Sequence, residues 1–108
     1  MEKINIKELE KFDLRVGKVK DVQDHPNADK LYILLVDLGE DNVQIIAGIK
    51  KWYKKEELIG KNICIIKNLE PVTLRGIESN GMLLAAEFKD KVVLISPEKN
   101  IEVGARIH

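Results

Sequence analysis

The chain has 108 residues, 44% apolar and 33% charged, and its lysines and arginines balance its acids to a formal net charge of zero. That length suits one compact domain that buries a core without disulfides or a metal, and no apolar run nears the roughly 18 residues that would span a bilayer as a helix. The opening MEKINIKELE resembles neither a secretory nor an organelle presequence, so a cytoplasmic protein is expected.

In chain order, residues 5–12 predict a short helix. Asn5 stands three residues before Glu8, the spacing of a capping box, and Ile6, Leu9 and Phe12 share a face. From Asp13 the period becomes two: Leu14 and Val16 flank Arg15, and Gly17 interrupts before Val19. This predicts a long first strand bent at Gly17, paired on two sides as a small closed barrel requires. His25-Pro26-Asn27-Ala28-Asp29 is turn chemistry. Leu31–Leu38 and Val43–Ala47 read as a hairpin. Residues 52–59 lose the alternation and stop at Gly60, which predicts a short helix. Ile63–Ile66 resumes as a strand, Asn68–Asn80 is loop-rich, and Met82–Ala86 and Val92–Ile95 are apolar runs on either side of a Lys89-Asp90-Lys91 turn. Three strands, a helix and further strands make the element order of an OB-fold, a five-stranded Greek-key barrel in the all-β class with short helices. An SH3-like barrel is the main competitor on pattern alone. With no internal repeat, low-complexity tract or linker, residues 1–108 are expected to form one domain.

Little in the chain points to catalysis. There is no phosphate-cradling glycine loop and no nucleophile motif, and only two histidines, His25 and His108, are present. Neither has a partner at metal-ligand spacing, so no metal or cofactor is expected. Cys64, the single cysteine, lies in an apolar run and is expected to be a buried, inert thiol.

The neutral total argues mildly against nucleic acid, but the charge is unevenly spread. Between residues 42 and 82, seven cations face four acids, while Asp37, Glu40 and Asp41 gather at a turn, so a basic face and an acidic edge can coexist on one barrel. Lys50-Lys51-Trp52-Tyr53-Lys54-Lys55 sets four cations around two aromatics, a mixture suited to phosphates and base faces, although Trp52 and Tyr53 read first as anchors of the helix on the barrel. Arg75-Gly76 can offer a guanidinium to phosphate from a loop. His25, ahead of a proline, reads as a surface or loop-bracing residue, and Met82 as a core residue or a flexible apolar contact.

Several segments together resemble the tRNA-binding domain family, found in stand-alone tRNA-binding proteins, at the C-terminus of many bacterial methionyl-tRNA synthetases and in cytokine-like synthetase accessory proteins. They are Asp13–Val19, His25–Tyr32, Gln44–Ile49, Glu57–Lys61, Asn68-Leu69 with Pro71, and Arg75–Ala86, in order along nearly the whole chain. The resemblance implies an OB-fold that binds tRNA by shape and backbone, does not aminoacylate it, and forms homodimers in stand-alone members through elements near the chain ends. Many members carry a proline where this chain has Lys55, and a basic residue close before the Arg-Gly pair where it has Thr73 and Leu74. The missing cation predicts weaker affinity than a basic homologue would show.

The expected RNA contacts are Asn27, Lys30, Lys50, Lys51, Arg75, Ser79 and Met82, which fall in or beside the matched segments. The function expected is non-catalytic, structure-specific tRNA binding, either alone or as the tRNA-binding (beta) subunit beside a methionyl-tRNA synthetase catalytic subunit. The alternative is a chaperone-like module that binds protein or peptide, because the same barrel resembles a bacterial secretion-chaperone group.

Overall fold

A computed structural model describes residues 1–108. Strand β1 (Leu14–Asp24) is the spine of the barrel. Its first part pairs antiparallel with β4 (Asn62–Ile66), from Leu14 opposite Ile66 to Lys18 opposite Asn62. Its second part pairs with β2 (Tyr32–Asp37), from Lys18 opposite Asp37 to Asp24 opposite Tyr32. The two-sided pairing expected of the first strand is therefore present, but the irregularity lies between Val19 and Asp21 rather than at Gly17. Gly17 has a different role: a Cβ there would overlap Val36 Cγ1, so its bare backbone lets β2 lie close against β1.

Strand β3 (Asn42–Ala47) completes the expected hairpin with β2, in register from Tyr32–Ala47 to Asp37–Asn42. With β7 (Met82–Leu83) beside β4, the sheet order is β3-β2-β1-β4-β7, a nearly closed OB-like barrel. Alternation along β2 sends Tyr32, Leu34 and Val36 inward. They meet Val19, Ile45, Ile63 and Ile65, all essentially without solvent contact.

Two short helices flank the barrel. In α1 (Ile6–Leu9), Asn5 caps the N-terminus by accepting from the Lys7 amide at 2.9 Å, while Glu8 pairs with Lys11 instead of returning to Asn5. In α2 (Lys55–Leu58), the Glu57 carboxylate accepts from the Lys54 amide at 2.8 Å, and Leu58 is wholly buried. The expected helix over 52–59 thus begins three residues later. The Trp52 and Tyr53 amides both donate to the Ile49 carbonyl, at 2.9 and 3.1 Å, and close a turn before the helix starts.

The stretch expected to be loop-rich contains a hairpin of β5 (Val72–Leu74) and β6 (Ile77–Ser79). The apolar run from Met82 divides at Leu84 into β7 and β8 (Ala85–Phe88), and β8 forms a hairpin with β9 (Lys91–Leu94). The C-terminal segment returns along the start of β1, with Val16 N to Ala105 O at 2.9 Å and Ile107 N to Leu14 O at 2.9 Å. Cys64 is buried and unpaired, and burial pushes its thiol pKa up, which keeps it protonated and inert.

Candidate nucleic-acid interface

Two loops and a hairpin meet beside β2. The first loop, residues 25–31, is organised by His25, which is only 5% exposed. Its Nδ1 accepts from the Asn27 amide at 3.0 Å. The ring proton is therefore on Nε2, which donates to the Leu74 carbonyl at 2.8 Å. The loop-bracing reading of His25 is the one the geometry fits, and the brace reaches the β5–β6 hairpin across 49 positions of chain.

That hairpin turns through Arg75 and Gly76, with φ of +51° and +88°. Two consecutive positive φ values in a two-residue loop mark a type I′ turn, whose first position favours asparagine, aspartate or glycine. Arginine is strained there, and its carbonyl is held by Asn27 Nδ2 at 3.0 Å. Asn27 is exposed, and its side chain is spent on positioning Arg75.

Lys30 is exposed and lies between two cavities. One, of about 410 Å³, is shared with Ala28, Leu31 and Arg75. The other, of about 450 Å³, is shared with Lys50, Lys51 and Trp52. Asp29 lines both cavities as well, so Arg75, Lys30, Lys50 and Lys51 follow one another as a basic row with one acid beside Lys30, and Asn27 stands behind the row at Arg75. Lys50 and Lys55 both bond Asp24, at 3.0 and 2.9 Å. The bonds from Lys55 and then Lys50 hold the Asp24 carboxyl below the ordinary carboxylate range, and Asp24 raises the pKa of Lys55. Lys51 Nζ lies 5.4 Å from the Trp52 ring centroid.

The aromatics of this segment brace it. Trp52 Nε1 donates to the Asp90 carbonyl at 2.7 Å, and the Tyr53 hydroxyl accepts from the Leu94 amide at 3.1 Å. The two remaining expected contacts stand apart. Ser79 is buried, and its Oγ accepts from the Ile46 amide at 3.0 Å while its hydroxyl donates to the Gly81 carbonyl at 3.2 Å. Met82 is 52% exposed on β7 but lines neither cavity. The residue absent from the expected set is Asp24. An acid immediately before His25-Pro26, facing lysines 26 and 31 positions away, gives no local sequence signal.

Residues 14–106 match the profile of the family described as "Putative tRNA binding domain". The methionine–tRNA ligase of Thermococcus kodakarensis is 55% identical over 107 residues, which cover 99% of this chain and 14% of that enzyme, so the chain spans a small part of the curated relative it matches. A MetRS-related protein from Pyrococcus horikoshii superposes with a TM-score of 0.93 at 39% identity, covering 100% of both chains. The chaperone CsaA from Bacillus anthracis superposes with a TM-score of 0.92 at 29% identity, covering 99% of this chain and 100% of that one.

Proposed function

The chain belongs to the tRNA-binding domain family, a non-catalytic module, and from that premise we propose that it grips folded tRNA in the cytoplasm through the basic row Arg75–Lys30–Lys50–Lys51. The observation that carries this reading is Arg75. A turn selected for stability alone would place asparagine or glycine at its first position. Here an arginine is held in left-handed geometry by Asn27, beside an exposed lysine. Backbone strain kept in place by surrounding bonds marks a functional position, and a guanidinium displayed this way suits bidentate contact with phosphate.

Recognition of this kind reads phosphates and 2′-hydroxyls on a fixed shape, not base edges. It needs a few placed cations and no large net charge. Each phosphate contact carries about 0.9 of salt slope on a duplex, so raising salt from 50 to 200 mM costs about three- to fourfold per contact. Anisotropy with folded tRNA, the same tRNA unfolded and an unrelated hairpin across a salt series tests the reading. Preference for folded tRNA is expected, and equal affinity for all three overturns shape recognition.

The protein acts either alone or as the tRNA-binding subunit beside a methionyl-tRNA synthetase catalytic subunit. The end-to-end match with the MetRS-related chain and the identity to the ligase support these forms. A homodimer is part of the same proposal. Helix α1 buries no residue, and Ile6, Leu9 and Phe12 line an apolar groove of about 280 Å³ with Leu14 and Ile107, so both chain ends meet where the family resemblance implies a second copy. The superposition on CsaA supports a second reading, capture of unfolded polypeptide. Polypeptide capture with no tRNA binding at low salt would favour it.

A further inference from the structure

We propose that the tip of the β8–β9 hairpin is a second RNA contact, where Phe88 and Lys89 receive an unpaired nucleotide, the base on the ring and the phosphate on the ammonium. The inference rests on the RNA-binding reading above and extends it to a part of the barrel outside the basic row.

Only two non-glycine residues in the chain have positive φ: Arg75 at +51° and Lys89 at +54°. Both are cations. Both stand first in a two-residue hairpin turn, Arg75-Gly76 between Leu74 and Ile77, and Lys89-Asp90 between Phe88 and Lys91. Each turn has a carbonyl held by a side-chain N–H from a neighbouring loop, Asn27 Nδ2 on Arg75 and Trp52 Nε1 on Asp90 at 2.7 Å. A long side chain in left-handed geometry is disfavoured, and glycine or asparagine would relieve the strain. Its recurrence with the same charge, turn position and external brace points to a shared use.

The aromatic is placed to match. Along β9, Val92 packs against the core and Leu94 is 7% exposed, and pairing sets Glu87 and Ala85 on that same side of the hairpin, although all four residues of β8 are exposed. Phe88, opposite Lys91, is on the other side and 73% exposed, at a position where alternation on a half-solvated hairpin calls for a polar residue. Lys89 Nζ lies 5.5 Å from the Phe88 ring centroid. An open ring beside a cation is the minimal platform for one unstacked nucleotide.

Continuity decides for RNA over an apolar partner. Trp52 lines the Lys30–Lys51 cavity and also holds the hairpin, and Lys51 Nζ lies 3.8 Å from Asp90 Oδ1. The basic row therefore runs directly into the tip, where Lys89 and Lys91 flank the single acid Asp90. RNA that lies along the row and has an unpaired stretch beyond its folded part reaches Phe88.

The test compares Phe88→Ala, Phe88→Tyr, Lys89→Gly and Arg75→Ala in tRNA anisotropy, with nuclease probing of the unpaired nucleotides in each complex. Loss of a stacked base predicts that Phe88→Ala weakens binding at least about fivefold and exposes one unpaired site to cleavage, while Phe88→Tyr retains both. Lys89→Gly removes turn strain, so its melting temperature is expected to hold or rise while its affinity falls, a combination that a purely structural role does not produce. Wild-type affinity in Phe88→Ala and Lys89→Gly, with Arg75→Ala weakened, would overturn the second contact and leave the basic row standing. Absence of tRNA binding by the unaltered protein would overturn both proposals, and loss of polypeptide capture rather than RNA binding in Phe88→Ala would reassign the tip to a protein partner.

Discussion

The Ser79 hydroxyl oxygen accepts the Ile46 amide proton at 3.0 Å and so fastens the β6–β7 segment to β3. The Asn80 amide donates to the Gln44 carbonyl at 2.8 Å and Gln44 Nε2 to the Glu78 carbonyl at 2.7 Å, so three bonds close the barrel where the β3–β7 ladder is missing. Ser79→Ala leaves the Ile46 amide without a partner at a buried site, which costs about 1–3 kcal/mol. For a domain of this size that lowers the melting temperature by roughly 4–20 °C. tRNA affinity per folded molecule should not change. A tRNA defect without a stability loss would return Ser79 to the RNA face on which the sequence places it.

Arg75→Asn separates the needs of the turn from those of the ligand. Asparagine is the favoured first residue of a type I′ turn, so the melting temperature is expected to stay level or rise slightly. Loss of the guanidinium should weaken binding to unrelated tRNAs by similar factors and lower the salt slope by about one unit or less. Thermal melts and a salt series check both halves. Unchanged affinity would mean that the strained arginine serves something other than phosphate.

Asp24 holds Lys50 and Lys55, and on the proposed function it would compete with RNA phosphate for them. Asp24→Asn releases both cations, and tRNA affinity at low salt is expected to rise by a few-fold. A fall would show that the carboxylate aims the lysines. The pH dependence has a definite sign. Asp24 is depressed, so its contribution is present above the unfolded carboxylate value of about 3.9 and disappears as pH falls through its lower folded value. Lys55 is raised, so its contribution is present below the unfolded lysine value of about 10.4 and disappears as pH rises through its higher folded value. The stability difference between the native chain and Asp24→Asn should therefore be flat from roughly pH 5 to 9 and shrink at either extreme. A difference that changes steadily across neutral pH would implicate another group.

Strands β2, β3 and β4 were legible because each is long enough for its burial pattern to appear in the residues themselves, as with Tyr32, Leu34 and Val36 on one face of β2. The β5–β6 hairpin was not. Its strands have three residues each, and its turn uses Arg-Gly instead of the Asn-Gly that announces a type I′ loop. The basic row was legible as residue types, since Lys30, Lys50, Lys51 and Arg75 all belong to it. Their order along one surface depends on His25 bonding Leu74 and Asn27 bonding Arg75, contacts 49 and 48 residues apart with no periodicity to reveal them. The bracing role of Ser79 was hidden for a related reason: a hydroxyl beside Asn80-Gly81 looks like loop chemistry until barrel closure brings Ile46 against it.

The oligomeric state is tested best at α1. Removing the C-terminal segment is a poor probe, because Ala105 and Ile107 bond the edge of β1 and their loss would disturb the barrel itself. Phe12 lies in the apolar groove but is 41% exposed and outside the core, so Phe12→Asp places a charge on the face with little cost to the fold. Sedimentation of the native chain at micromolar concentration is expected to give about twice the 12.3 kDa chain mass, and Phe12→Asp the single mass. A twofold pair carries two basic rows on one rigid body, so the monomeric variant should also bind tRNA more weakly, by the lost avidity alone. Its salt slope should fall in step, because fewer phosphates are neutralised per complex. A native chain that sediments as a clean monomer would leave the α1 groove without its second copy, and equal tRNA affinity for dimer and monomer would show that one barrel holds the whole site.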